Sequence, residues 1–202
     1  MNAELNVFSI IVAVCLGASL AAATGFRLFV PCLVASVAAK YGFIHLSQGW
    51  EWIGSWPALI TFASATLLEI AAYYIPWIDN ALDSIAMPSA PVVGTLLTIA
   101  VLPRDVAPVA KWTLAIIAGG GAAMAVQSKT TVLRGLSTAV TGGLANPVIA
   151  TVEAVAAVLL SVLAIFLPIA AAVVAIIGVL LLWIVFFRTA HTLRKKPQHA
   201  DG

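Results

Sequence analysis

The chain has 202 residues, 62% of them hydrophobic and only 9% Asp, Glu, Lys or Arg, against about 25% charged in ordinary soluble domains. That excludes a soluble globular domain and reads as an integral membrane protein, an all-α, polytopic bundle of transmembrane helices. Ten basic and eight acidic residues give a formal charge of +2, with no basic run interleaved with aromatics, which argues against nucleic acid as a partner.

A membrane span needs about 20 mainly apolar residues. The first candidate, residues 5–23, follows a terminus whose only charge is Glu4, so it reads as a retained helix and not a cleaved signal peptide. Residues 26–39 are short, open with Arg27 and contain Pro31. Residues 57–75 form a span carrying Glu69. Asp79, Asn80 and Asp83 then read as a solvated loop, although a helix would put both carboxylates on one face, where a divalent-metal site is conceivable but lacks a third ligand. Residues 88–102 are short and hold Pro88, Pro91 and Gly94. The span 107–126 contains Gly119-Gly120-Gly121, which permits close backbone approach between helices. Residues 128–146 are polar for a membrane segment, and 147–167 and 169–187 complete the spans. Six tryptophans fall mostly at segment ends, as an interfacial belt requires. Cys15 and Cys32 lie in apolar stretches as small hydrophobes and define neither a disulfide nor a zinc site.

The domain layout read from this is a membrane domain over 1–168, an additional C-terminal helix over 169–190 and a basic cytoplasmic tail over 191–202. Arg188, Arg194, Lys195 and Lys196 would anchor that tail. Counting back, the Lys129/Arg134 segment and the Asp79/Asp83 loop fall inside, Arg104 and Lys111 outside. If 26–39 crosses there are seven spans and the N-terminus is outside; if it re-enters there are six and both termini are cytoplasmic. Its length and Arg27 predict re-entry. Half-repeats of about 5–87 and 105–168 would then run in opposite directions, an inverted repeat with broken or re-entrant helices.

The candidate site rests on two carboxylates in similar apolar surroundings, Glu69 in Ala-Thr-Leu-Leu-Glu-Ile-Ala-Ala and Glu153 in Ala-Thr-Val-Glu-Ala-Val-Ala-Ala. An acidic residue at a membrane helix centre costs roughly 2.5–3.5 kcal/mol on insertion scales, so each needs a partner, a cavity or a proton. Arg27, beside the structural break at Gly25 and Pro31, would hold such a carboxylate, bind an anion or snorkel to the headgroups. Thr130, Arg134, Ser137/Thr138 and Thr141 share one helical face, which with Lys129 would line a polar cavity or lie at the interface. The break Gly142-Gly143…Asn146-Pro147 would free backbone amides at the start of the Glu153 helix. No metal-ligand spacing and no cofactor or catalytic motif occurs.

With Gly25-Phe26-Arg27…Pro31, Lys129…Arg134…Ser137 and Thr141-Gly142-Gly143-Leu144-Ala145-Asn146-Pro147…Glu153 in view, the chain resembles a bacterial family of small polytopic membrane proteins known only as a domain of unknown function. The resemblance covers about residues 7–168 and implies a shared fold but no activity. The expectation from site chemistry is an inner-membrane transporter or channel-like protein for an ion or small solute. Membrane lipids and a second copy of the chain are the expected partners, and no cofactor is expected. The rivals are a lipid-binding or lipid-modifying protein and a non-catalytic scaffold subunit.

Overall fold

A computed structural model describes residues 7–194, with side chains except those of 76, 77, 79, 80, 182 and 185–194. The tail residues Lys195, Lys196 and His199, and the side chains of Asp79, Arg188 and Arg194, lie outside that description. Every regular element of the described residues is helical. In order come α1 (Val7–Thr24), α2 (Phe29–Lys40), a 3₁₀ turn (Glu51–Gly54), α3 (Trp56–Ala72) and α4 (Pro76–Val101). They are followed by α5 (Pro108–Leu114), a π segment (Ala115–Gly120), α6 (Gly121–Thr141), α7 (Asn146–Phe166) and α8 (Pro168–Arg194). Four stretches are long and apolar enough to cross a membrane: Val7–Thr24, Ala81–Val101, Pro108–Thr141 and Asn146–Phe166. Phe29–Lys40, Trp56–Ala72 and Pro168–Leu181 are shorter apolar helices.

Two ends of the bundle organise everything else. Phe8 of α1, Lys40 of α2 and Val101 and Leu102 of α4 line one cleft, so the start of α1 and the ends of α2 and α4 meet at one end. Arg27, Asp83, Arg134 and Glu153 meet at the other, with Glu69 bonded to the start of α2. Helix α2 runs from the cluster back toward the cleft, opposite in direction to α1, and at 12 residues against 18 it is the shorter of the two. Glu69 is answered inside the bundle by the amides that open α2, and the Arg27 side chain is buried beside it rather than turned to the surface.

Two expectations are corrected. Residues 128–146 form no separate re-entrant piece, because α6 continues the preceding helix without a break as far as Thr141. Its hydroxyls bond back to its own carbonyls, Ser128 to Met124, Thr130 to Gln127 and Thr141 to Ser137, so polar composition does not unwind it. Helices α1 and α5 both start toward the cleft, whereas Glu69 lies in the last turn of α3 and Glu153 two turns into α7. Residues 79–83 are not a loop either: α4 runs through them and through Pro88 and Pro91.

The helices approach closely where side chains are smallest. A Cβ on Gly119 would lie 2.2 Å from Thr98 Oγ1 and 2.6 Å from Gly94 O, so the π segment and α4 touch backbone to backbone. A Cβ on Gly17 would meet Thr98 at 2.7 Å, which brings α1 into the same crossing. Gly121, by contrast, faces open space. Around this crossing Ser19, Leu20, Ala21, Ala90, Thr98 and Ala100 are wholly buried. Helix α8 joins the core through Ala171, with Ala175 and Val179 packed against it.

Candidate functional site

Five charged side chains from five parts of the chain converge at one end: Arg27 from the turn after α1, Glu69 from α3, Asp83 from α4, Arg134 from α6 and Glu153 from α7. Each is no more than 8% exposed. The turn exists because Gly25 lies flat on α6, where a Cβ would stand 2.5 Å from Val126 Cβ and 2.6 Å from Ala123 O. Thr130 Oγ1 donates to the Gly25 carbonyl at 3.3 Å and fixes that contact. Pro31 does not break anything. It is the third residue of α2, where no N–H is required, so it starts the helix.

Arg134 and Glu153 form a two-pronged pair: Nε donates to Oε1 at 3.2 Å and Nη2 donates to Oε2. Such forks are the strongest geometry available to these groups. Arg134 Nη1 lies 3.7 Å from Asp83 Oδ1, and Tyr73 Oη donates to the same oxygen at 3.3 Å. The Tyr73 ring is shared by both guanidiniums, with centroid distances of 3.8 Å to Arg27 and 4.2 Å to Arg134. Cation–π contact lets an aromatic ring stand in for solvent beside two like charges. Arg27 Nη2 donates to Ala150 O at 2.6 Å and lies 3.6 Å from Glu153 Oε2. Its Nε and Nη1 are buried and have no acceptor among the described residues.

Glu69 does a different job. Its two oxygens accept from Leu28 N at 2.7 Å and Phe29 N at 3.0 Å. Those amides open α2, and a carboxylate there satisfies donors the helix cannot and complements its dipole. The cap comes from 41 residues downstream, because Leu28 has no side chain able to supply it.

Four of the predicted site residues, Arg27, Glu69, Arg134 and Glu153, are thus brought together. Lys129 is not among them: its Nζ lies 4.0 Å over the Trp183 ring of α8. Asn146 is buried at the start of α7 and donates from Nδ2 to Thr138 Oγ1 at 3.0 Å, bracing the turn. Gly142 and Gly143 take φ of 64° and 90°, a region that favours glycine, and end α6. Pro147 sits in the first turn of α7. The Ala145 amide of this turn is taken by Thr141 Oγ1 at 3.3 Å. Among the described residues no group of three or more His, Cys, Asp or Glu could hold a metal ion.

A family profile described as a domain of unknown function (DUF4126) matches residues 14–188. The chain belongs to this family. All five buried charges of the DUF4126 chain fall inside the matched span, and so does most of α8, which the sequence alone set apart as an addition. Neither curated proteins nor solved structures gave a match.

Tyr73 and Asp83 are the site residues of the DUF4126 chain that sequence reasoning missed. Tyr73 follows Glu69 by four residues and so continues its helical face. Asp83 carried a signal too, since Asp79 and Asp83 at i, i+4 suit a helix with an inward polar stripe. Pro88 and Pro91 obscured it.

Proposed function

We propose that this protein is a transporter or channel-like protein of the bacterial inner membrane that moves a proton or small cation through the buried charge cluster. The carrying observation is the charge sum. Three carboxylates and two guanidiniums, all buried, leave a formal excess of one negative charge in a membrane-embedded setting. An uncompensated buried charge is costly, so the cluster is most stable with one proton or one monovalent cation added. Arg27 supports this, because its two unfilled donors ask for an oxygen acceptor such as water beside the carboxylates. A carboxylate that gains and loses a compensating proton is a natural coupling element.

In this reading the cluster end faces the cytoplasm, since Lys129 lies toward it against Trp183 of α8. A cysteine placed at Gln48 should then react with impermeant reagents from outside, and one at Thr141 only from the cytoplasmic side. Among the basic residues on which the lipid-binding or lipid-modifying alternative rests, Arg134 is 2% exposed and is taken up by Glu153.

The deciding experiment is flux in proteoliposomes carrying an internal pH-sensitive or cation-sensitive dye. Asp83→Asn, which removes the excess charge while keeping shape, should fold and lose flux or its pH dependence. Wild-type vesicles no leakier to protons, sodium or potassium than protein-free vesicles would end this reading.

A further inference from the structure

The end of the bundle away from the charge cluster holds a cleft of about 1030 Å³. Its walls differ in chemistry. One is an apolar stripe of α1, Phe8, Val12 and Leu16, at spacings that share a helical face. The other is polar and carries Lys40, Ser47, Glu51 and Arg104. Lys111 Nζ donates to Ser47 Oγ at 2.8 Å, so a third cation stands at the same wall. Lys40, Arg104 and Lys111 against Glu51 leave a formal excess of two positive charges.

These cations are positioned yet not used up. Lys40 Nζ is held 3.8 Å over the Trp56 ring, at the end of α2. Arg104 makes one contact, Nη2 to Glu51 Oε1 at 3.2 Å. A guanidinium has five donors and an ammonium three, so most remain for a ligand. Trp52 and Trp56 are more than half exposed at this end, which marks it as headgroup level. Phe8 and Ile11 of α1 are likewise exposed, so the apolar wall continues outward into what would be acyl chain.

We propose that this cleft is a binding site for one anionic phospholipid, its phosphate held by Lys40, Arg104 and Lys111 and its upper acyl chain lying along Phe8, Val12 and Leu16. A small soluble anion has no use for the apolar wall, and a zwitterionic lipid gains little from an excess of two positive charges. The volume suits an amphiphile's head and the first part of its tails.

The full chain in detergent, titrated with dioleoylphosphatidylglycerol, dioleoylphosphatidylcholine and inorganic phosphate and read by native mass spectrometry, tests this. Phosphatidylglycerol should bind at least about tenfold more tightly than phosphatidylcholine, and removing Lys40 or Arg104 by alanine should weaken it about fivefold each, the effect of one cation near an anionic surface. Lys129→Ala, at the opposite end, should leave it unchanged. Val12→Asp should weaken the lipid and spare any binding of inorganic phosphate. Equal binding of the two lipids, or indifference to Lys40→Ala and Arg104→Ala, overturns the site. Inorganic phosphate that displaces phosphatidylglycerol at similar concentration also overturns it, in favour of a free anion. None of these variants touches the buried cluster, so flux and lipid binding can fail separately.

Discussion

The two ends of the bundle each pair an arginine with a glutamate, and almost nothing else about the pairs is alike. Arg134 and Glu153 have side chains 2% and 5% exposed; Arg104 and Glu51 have side chains 61% and 55% exposed. In the interior the pair is obligatory, because either partner alone would be a buried uncompensated charge. At the surface water replaces a lost partner, and the pair is one arrangement among several. Glu51 is nevertheless held below the usual carboxylate range, first by its own backbone N–H and then by that of Gly49, with Arg104 adding to both. The same two residue types thus build a fixed element at one end and an adjustable rim at the other.

The sharpest way to break this comparison is Arg134→Ala. It should cost about 3–5 kcal/mol, the usual effect of stripping one partner from a buried pair, seen as a large fall in melting temperature or folded yield in detergent. A paired replacement, Arg134→Met with Glu153→Leu, should restore much of that loss. Should the single variant be as stable as wild type, the cluster is wetter than the fold implies.

Glu69→Ala comes next. It orphans the Leu28 and Phe29 amides that open α2, at about 1–3 kcal/mol for buried donors left unmade. Hydrogen exchange should rise first at the start of α2, and uniform change along the chain would argue against a local cap.

A comparable contrast exists in the crossing between the ends. Gly119→Ala should cost about 1–3 kcal/mol by overpacking, since its Cβ would meet Thr98 Oγ1 at 2.2 Å. Gly121→Ala meets nothing within 4 Å and should be tolerated. Thermal melts of the two variants side by side check this.

The smallest effect is expected for Arg104→Ala: no resolvable change in melting temperature at neutral pH. Because the Glu51 carboxyl is lowered by folding, its contribution is present above the ordinary carboxylate range and fades as the pH falls through the lowered value. Any effect of Arg104→Ala should therefore shrink further in acid.

Much of the cluster was legible because it is expensive. Charges inside apolar runs must be answered by other buried charges, and that logic picks out Arg27, Glu69, Arg134 and Glu153 from sequence. It cannot tell which partner each takes. Glu69 reads as the mate of Arg27, but its oxygens accept from backbone amides, whose positions depend on how α2 begins. The misreadings share a cause as well. Pro88, Pro91 and Gly94 in 88–102 and the polar composition of 128–146 read as interrupted or re-entrant segments, whereas a helix packed on several neighbours keeps its course, and hydroxyls bonded to their own turn do not oppose it.

One feature links the protein to its surroundings. From Pro108 to Thr141 the chain is a single helical stretch of 34 residues. At about 1.5 Å per residue it is roughly 50 Å long, well beyond an apolar layer of about 30 Å. Tilts in membranes rarely exceed about 40°, so part of it must stand outside the hydrocarbon. Its sequence decides which part, since the last two turns carry Ser137, Thr138 and Thr141. Arg134 lies just before them, close to the boundary where hydrocarbon gives way to headgroups. A thinner bilayer would leave more of these last turns in water and a thicker one would cover them, while the bundle itself keeps the Arg134 guanidinium buried in either case.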